Sequence, residues 1–138
     1  MENKTQIRME GLTITVEDVE RSINYYVNLL GFKLELDAKP NFALVRVGSG
    51  GGDTIGLLSW TEAEKEGGKK SSPEQKRAIH IELSTDDLDG LYEALKIKGV
   101  SFHVPPHDEP WERSMTALDP DGYSVEFAQG RRGKNQTK

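Results

Sequence analysis

The sequence predicts an α+β fold in which two βαβββ modules form an eight-stranded open cup with the helices outside. Three observations support this prediction. First, residues 11–22, GLTITVEDVERS, are repeated in pattern at residues 80–91, HIELSTDDLDGL, with an offset of 69. Second, an amphipathic helix with an acidic start follows the first strand of each copy. Third, three further strand candidates follow each helix, so each copy has the same order of elements.

The first module covers about residues 7–60. Apolar residues recur at helical spacing after its first strand, and Asp18 is a plausible N-cap while Gly31 follows the last helical turn. Strands are expected at 32–38, 42–48 and 54–60. The glycine run at 49–52 has neither the lysine nor the following helix of a phosphate loop, so it is interpreted as a hairpin connection.

The second module covers about residues 78–129, after a polar linker at 61–77 that contains glycine, serine and proline. Asp86 or Asp87 is expected to cap its helix, and Gly99 to end it. Strands are expected at 100–104, 113–118 and 123–128. Residues 119–122, DPDG, have proline and glycine where a type I turn favours them.

Composition limits the classes of function. A chain of 138 residues suits a single domain, 1–138, and it is long enough to bury a core. There is no cysteine, which excludes disulfides, thiolate metal sites and a cysteine nucleophile. The net charge is −5, and the tail at 130–138 contributes +4, so the rest of the chain has −9. This negatively charged part of the chain repels the phosphate backbone of nucleic acid, so nucleic acid is not expected as a partner. No apolar run reaches membrane-spanning length, and we expect a cytoplasmic location.

A histidine stands among apolar residues in the first strand of the second module. Successive residues of a strand point to opposite faces, so Ile81 can pack under the helix while His80 and Glu82 face the cup. The same alternation in the last strand directs Val125 to the core and Glu126 to the cup. An imidazole and a carboxylate are thus predicted on one surface.

The order of the blocks VEDVERSINYYVNLLGF, IHIELSTDDLDGLYEAL and DPDGYSVEF resembles the vicinal oxygen chelate superfamily over about residues 7–129. This superfamily includes glyoxalases, bleomycin-resistance proteins and extradiol dioxygenases. The resemblance implies a divalent metal in the cup, held by the first and last strands of each module. His80 and Glu126 match two of these ligand positions, and zinc, nickel, manganese and iron all suit such donors.

The first module departs from the family pattern, because Gly11 and Gly56 occupy the other two ligand positions and have no donor atoms. Exchange of modules between subunits would not supply them, because every cup takes one module of each kind. Glu82 is a candidate third ligand. Two alternatives stay open for His80 and Glu126: a hydrogen-bonded structural pair, or a general acid or base that works without metal.

Other candidate residues are weighed in the same way. Trp60 and Trp111 are candidates for stacking on a ligand or for packing, and Arg46 and Arg113 are candidate anion anchors if they face inward. A proline-rich segment, expected to be a loop near the cup, carries further donors that are more often solvated: His103, His107, Asp108, Glu109 and Glu112.

These patterns predict a small-molecule-binding protein with an incomplete metal site. Gly11 and Gly56 are expected to leave more space in the cup for the ligand. The competing prediction is a metal-dependent lyase, isomerase or dioxygenase that uses His80 and Glu126. A homodimer is expected, because open sheet edges invite a second copy. The methylglyoxal–glutathione adduct is not expected to be turned over, since opposed carboxylates are missing.

Overall fold

The computed structural model describes residues 5–48 and 52–130. The predicted tail beyond residue 130 and the hairpin connection at 49–51 lie outside the described residues. The described chain contains eight strands in two four-stranded sheets of order β1-β4-β3-β2 and β5-β8-β7-β6. The strands are β1 (Gly11–Val16), β2 (Lys33–Ala38), β3 (Phe42–Arg46), β4 (Thr54–Ser59), β5 (His80–Ser84), β6 (Phe102–Glu109), β7 (Glu112–Leu118) and β8 (Ser124–Gln129).

The two sheets have the same topology, which confirms the predicted pair of modules and the open cup. β1 runs parallel to β4, and β5 runs parallel to β8, while the other neighbours are antiparallel. Gly11 pairs with Thr54, and His80 pairs with Ser124. Gly56 therefore occupies the position in the first sheet that Glu126 occupies in the second, as the sequence alignment predicts.

The first helix begins at α1 (Val19–Ile23) and continues as a π-helical segment (Asn24–Leu29). Asp18 caps it, since its Oδ1 accepts from the backbone N–H of Glu20 at 3.0 Å. In a π segment the backbone hydrogen bonds span five residues instead of the four of an α-helix, so each turn is wider. Both Tyr25 and Tyr26 are buried there, although helical spacing in the sequence predicts only Tyr26 on the inner face.

The predicted linker contains two short helices, α2 (Trp60–Lys65) and α3 (Pro73–Arg77). Ser59 caps α2, and Ser72 forms a reciprocal capping box with Gln75 at the start of α3. The second module then has α4 (Leu88–Ile97), which is capped by Asp87 and packs on β6, β7 and β8 through Leu88 and Leu95. No described helix is long and apolar enough to cross a membrane.

The proline-rich segment expected to be a loop forms most of β6 instead. β6 is an edge strand of its sheet, and its pairing with β7 is interrupted by register shifts on either side of Val104. Proline has no backbone N–H to donate to a neighbouring strand. It is therefore tolerated in edge strands and at bulges, where that hydrogen bond is not needed. The expectation of a loop was therefore wrong, and residues 102–109 belong to the wall of the cup.

The two modules are joined through the turn between β7 and β8. The buried Asp119 accepts a hydrogen bond from the Tyr26 hydroxyl at 2.6 Å and from the backbone N–H of Tyr123 at 2.9 Å. Tyr123 in turn donates its hydroxyl to the Thr15 carbonyl at 2.8 Å. Burial raises the pKa of Asp119, although these hydrogen bonds oppose the shift. These contacts fix the first helix and β1 against the second sheet.

Candidate metal and ligand site

Strand alternation in the second module places three possible metal ligands on the concave face, by which we mean the face of each sheet opposite its helix. Ile81, Val125 and Phe127 are buried in the core on the helix side. His80 and Glu82 project from the other face of β5. Glu82 pairs in register with Glu126 of β8. The backbone alone therefore brings two carboxylates and one imidazole together.

One ligand atom from each of His80, Glu82 and Glu126 lies within 4.8 Å of the others. Ligand atoms around a divalent ion with bonds of about 2.0–2.2 Å are separated by about 3–3.5 Å. Binding of one ion would therefore draw the three ligand atoms closer together. A set of one imidazole and two carboxylates suits zinc, manganese, nickel or iron, so the residues present fit a divalent metal.

A cleft of about 410 Å³ lies beside this cluster, between the first sheet and β5. Its lining includes His80, Glu82 and Ser84 on one side. Gly11 and Thr54 line the other side, together with apolar residues such as Met9 and Leu12. The cleft therefore has a polar wall that carries possible metal ligands and an opposite wall from the first module.

The glycines of the first module do not leave the empty space that the sequence suggested. A Cβ atom on Gly56 would lie 2.6 Å from Thr13 Oγ1 and 3.1 Å from the Phe42 ring. A Cβ atom on Gly11 would lie 2.3 Å from the Thr54 carbonyl oxygen. Contacts below 3.0 Å require the neighbours to move. The space is already filled by residues of this chain, so a ligand side chain cannot be restored at either position without rearrangement.

The structure does not bring the other predicted binding residues to the cleft. Trp60 lies at the start of α2, where the ammonium groups of Lys70 and Lys76 stand 4.2 and 5.1 Å from its ring centroid. Trp111 is 57% exposed in the turn between β6 and β7. Neither tryptophan is among the residues that line the cleft.

Arg113 lies on the helix side of the second sheet. Its guanidinium contacts Asp89 of α4 at 3.0 Å and Asp108 at 3.1 Å, and these two carboxylates raise its pKa. Arg46 lies on β3 and pairs with Glu35, whose pKa it lowers. Both arginines are already engaged by carboxylates of this chain.

His107 and Glu109 form a separate pair on β6, with 2.9 Å between Nε2 and the carboxylate. The other ring nitrogen, Nδ1, lies 3.0 Å from the Pro105 carbonyl oxygen. Both contacts favour the protonated imidazole and raise the pKa of His107, with the Pro105 carbonyl as the larger cause. β7 and β8 separate this pair from β5, and the three-residue cluster does not include it.

Sequence reasoning missed part of the cleft. Met9 and Thr54 line it, yet neither residue carries a recognisable motif. Thr54 becomes visible only through its pairing with Gly11 in the parallel β1–β4 ladder. Such a pairing joins residues 43 positions apart, and one sequence does not encode it directly.

The fold and the site define a glyoxalase-type protein. Residues 8–127 match the model of the Glyoxalase/Bleomycin resistance protein/Dioxygenase superfamily, and the chain belongs to this family. Among its relatives, the metallothiol transferase FosB of Lysinibacillus sphaericus is 30% identical over 120 residues, which are 86% of this chain and 79% of FosB.

Solved structures agree with this assignment. A superfamily member from Sphaerobacter thermophilus is 32% identical, with a TM-score of 0.71 over 90% of this chain and 98% of that one. The antibiotic-binding protein TnmS3 from a Streptomyces species is 24% identical, with a TM-score of 0.70 over 92% of this chain and 98% of that one. At this lower identity, the similarity to TnmS3 shows that the two chains share a fold.

Proposed function

We propose that the protein binds a divalent metal ion through His80, Glu82 and Glu126 and holds a small oxygen-bearing molecule against it in the adjacent cleft. The observation that carries this proposal is the 4.8 Å limit on the separation of the three ligand atoms. Three protein ligands and an open side are typical of catalytic metal sites, in which the substrate takes the remaining positions. The third ligand, Glu82, compensates for the donors that the first module lacks.

The residues of the site have distinct roles in this proposal. His80 and Glu82 hold the metal from alternate positions of one strand, so their spacing is fixed by the backbone. Glu126 approaches from the neighbouring strand, and the two carboxylates balance the charge of a divalent ion. Met9 and Leu12 line the cleft and give it an apolar surface. When bound, the metal polarises oxygen atoms of the ligand.

The similarity to a metallothiol transferase supports transfer of a thiol as the first reaction to assay. In this reaction a bond forms between the thiol sulfur and an electrophilic carbon of the bound molecule. The bond from that carbon to oxygen breaks, and the thiol proton passes to the released oxygen. The electrophile is the molecule held in the cleft, and the thiol is a second substrate from solution.

A second candidate function is binding without turnover, as in a sequestering protein. The first module favours it, because Gly11, Thr13 and Gly56 stand where the second module has His80, Glu82 and Glu126. No imidazole or carboxylate therefore faces the cluster from these positions. In this case the bound compound would be recovered unchanged.

Metal binding is tested by calorimetric titration of the metal-free protein with Mn²⁺, Ni²⁺ and Zn²⁺. One site per chain is expected, and His80→Ala, Glu82→Gln and Glu126→Gln should each weaken it at least about tenfold. Glu93→Gln on the exposed face of α4 is the matched control and should have no effect. Wild-type metal affinity in His80→Ala, Glu82→Gln and Glu126→Gln would refute the proposed site.

The two candidate functions are separated with the metal-loaded protein. The free thiol that remains after incubation with an electrophile is measured with a chromogenic disulfide. Consumption of thiol by the wild type, but not by His80→Ala, supports transfer. A ligand that binds but is recovered intact by mass spectrometry supports sequestration.

Two further expectations accompany the proposed function. We propose that the protein is cytoplasmic and that it forms a homodimer, since β1 and β5 are both edge strands. Light scattering at micromolar concentration tests the dimer, and a monomeric mass would contradict it.

A further inference from the structure

The cleft beside the metal cluster is lined by charge of one sign. Its lining carries the carboxylates of Asp53 and Glu82 together with the imidazole of His80. Among the described residues that line the cleft there is no lysine and no arginine, and the other lining residues are uncharged. A molecule that enters the cleft therefore meets negative charge without a basic side chain to balance it.

Asp53 lies on the first-module side of the cleft, directly before β4. Its backbone carbonyl accepts a hydrogen bond from the N–H of Val47 at 2.8 Å, which holds this part of the backbone in place. Asp53 is exposed, and its carboxylate forms no ion pair within the described part of the chain. Glu82 stands on the other side of the cleft and belongs to the metal cluster. The Asp53 carboxylate is therefore open to a part of the ligand that lies away from the metal.

Arg46 of the first sheet does not supply the missing positive charge. It pairs in register with Thr54, which lines the cleft next to Asp53. Its guanidinium, however, donates to the carboxylate of Glu35 and to the carbonyl oxygen of Gly52. The Arg46–Glu35 pair has no net charge, so it does not offset the negative charge of Asp53.

Metal binding changes the charge on only one side of the cleft. The carboxylates of Glu82 and Glu126 balance the two positive charges of the ion, and His80 binds as a neutral imidazole. Asp53 on the other side keeps its negative charge. The chain apart from its tail also has a net charge of −9, because the whole chain has −5 and residues 130–138 contribute +4. A cleft lined by one sign of charge attracts ligands of the opposite sign.

We infer that the ligand of this protein carries a positively charged group, such as a protonated amine, which pairs with Asp53. This inference rests on the proposed function and specifies the class of ligand that the site selects. One part of the ligand meets the metal, and its cationic group reaches across the cleft to Asp53. A ligand with a carboxylate or phosphate in place of the cation is repelled by Asp53 and binds more weakly.

Three hydroxamates of similar length test this inference, because they share the metal-binding group and differ in the charge at the other end. Hexanohydroxamate is uncharged there, 6-aminohexanohydroxamate carries an ammonium group, and adipic monohydroxamate carries a carboxylate. Their affinities are measured by calorimetry on Ni²⁺-loaded protein. A partly exposed ion pair should make the ammonium ligand bind about fivefold more tightly than the uncharged ligand, and the carboxylate ligand should bind most weakly. Added salt should reduce both differences.

Asp53→Asn should bring the affinities for the ammonium and the uncharged ligands to a ratio of about one, because it removes the charge with little change in size. Asp53→Lys should reverse the preference, so that the carboxylate ligand binds most tightly. Glu93→Gln is the matched control, since it removes the same charge from the exposed face of α4 and should keep the wild-type ratio. Thermal unfolding by circular dichroism verifies that each variant is folded.

The outcomes separate this inference from the proposed function. Loss of the preference in Asp53→Asn but not in Glu93→Gln supports the inference. A wild-type ratio in Asp53→Asn would overturn the role of Asp53 while metal binding stands. Tightest binding of the carboxylate ligand by the wild type would also overturn it and would point to Arg46 as the partner of an anion. Binding of Ni²⁺ without binding of any hydroxamate would overturn it as well. Failure to bind any metal would remove the proposed function and this inference together.

Discussion

The hydrogen bond between Tyr26 and Asp119 is expected to stabilise the joining of the two modules, and Tyr26→Phe removes it. The hydroxyl donates to Asp119 Oδ2 at 2.6 Å, across 93 residues of chain. Asp119 Oδ1 accepts instead from the backbone N–H groups of Asp121 and Tyr123, each at 2.9 Å. The substitution therefore leaves Oδ2 of a buried carboxylate without this donor.

The size of the effect follows from the burial of both partners. Tyr26 is 0% exposed and Asp119 is 4% exposed, so water cannot replace the lost donor without local opening. A hydrogen bond to a charged group contributes about 1.5–3 kcal/mol. We expect Tyr26→Phe to lower the free energy of unfolding by about 2 kcal/mol at pH 7, or the melting temperature by about 8 °C.

This loss should depend on pH. Burial raises the pKa of Asp119 in the folded protein, so the folded state binds this proton more tightly than the unfolded state. The contribution of Asp119 to stability is therefore highest below its ordinary pKa and falls as the pH rises through the folded pKa. Below the folded pKa the acceptor is a neutral carboxyl group, and its bond to Tyr26 is weaker. The difference between wild type and Tyr26→Phe should shrink there.

Urea unfolding followed by far-ultraviolet circular dichroism measures these differences. Tyr25→Phe is a matched control, because the Tyr25 hydroxyl is also buried but has no hydrogen-bond partner among the residues that the structure describes. Its removal should change the free energy of unfolding by less than about 0.5 kcal/mol or stabilise the protein slightly. Equal losses in the two variants, or a loss below about 0.5 kcal/mol for Tyr26→Phe at pH 7, would refute the reasoning.

Three further predictions concern the site. Gly56→Glu should lower the free energy of unfolding by about 1–3 kcal/mol without adding a metal ligand, because its Cβ meets Thr13 and the Phe42 ring; tighter metal binding in calorimetry would show that the chain rearranges. Arg113→Gln should leave ligand affinity unchanged, since Arg113 is bound to Asp89 on the helix side; a severalfold loss would place it in the site. The methylglyoxal–glutathione adduct should not be converted when Ni²⁺ or Zn²⁺ is added, and thioester absorbance measures this conversion. Metal-stimulated activity that is lost in His80→Ala would contradict the prediction.

The sequence alone was sufficient for the architecture, because each module repeats the same local patterns. Asp18 and Asp87 lie at helix starts, and Gly31 and Gly99 have positive φ angles of 85° and 100° just after the helices. Helix caps and the glycines that follow helices depend on residues close together in the sequence, so they can be predicted from the sequence alone. The alternation around His80 likewise predicted which side chains share a face of β5.

Only the tertiary structure decided the contents of the cup. Sequence patterns suggested open space at Gly56, but Phe42 fills it, and the pairing of β3 with β4 that brings them together is a long-range contact. The same holds for Glu82, whose value as a ligand depends on its register with Glu126. Strand alternation states which residues share a face, whereas register and sheet order determine which of them meet. Packing between distant segments fixes those two quantities, so the cluster of possible metal ligands forms only in the folded chain.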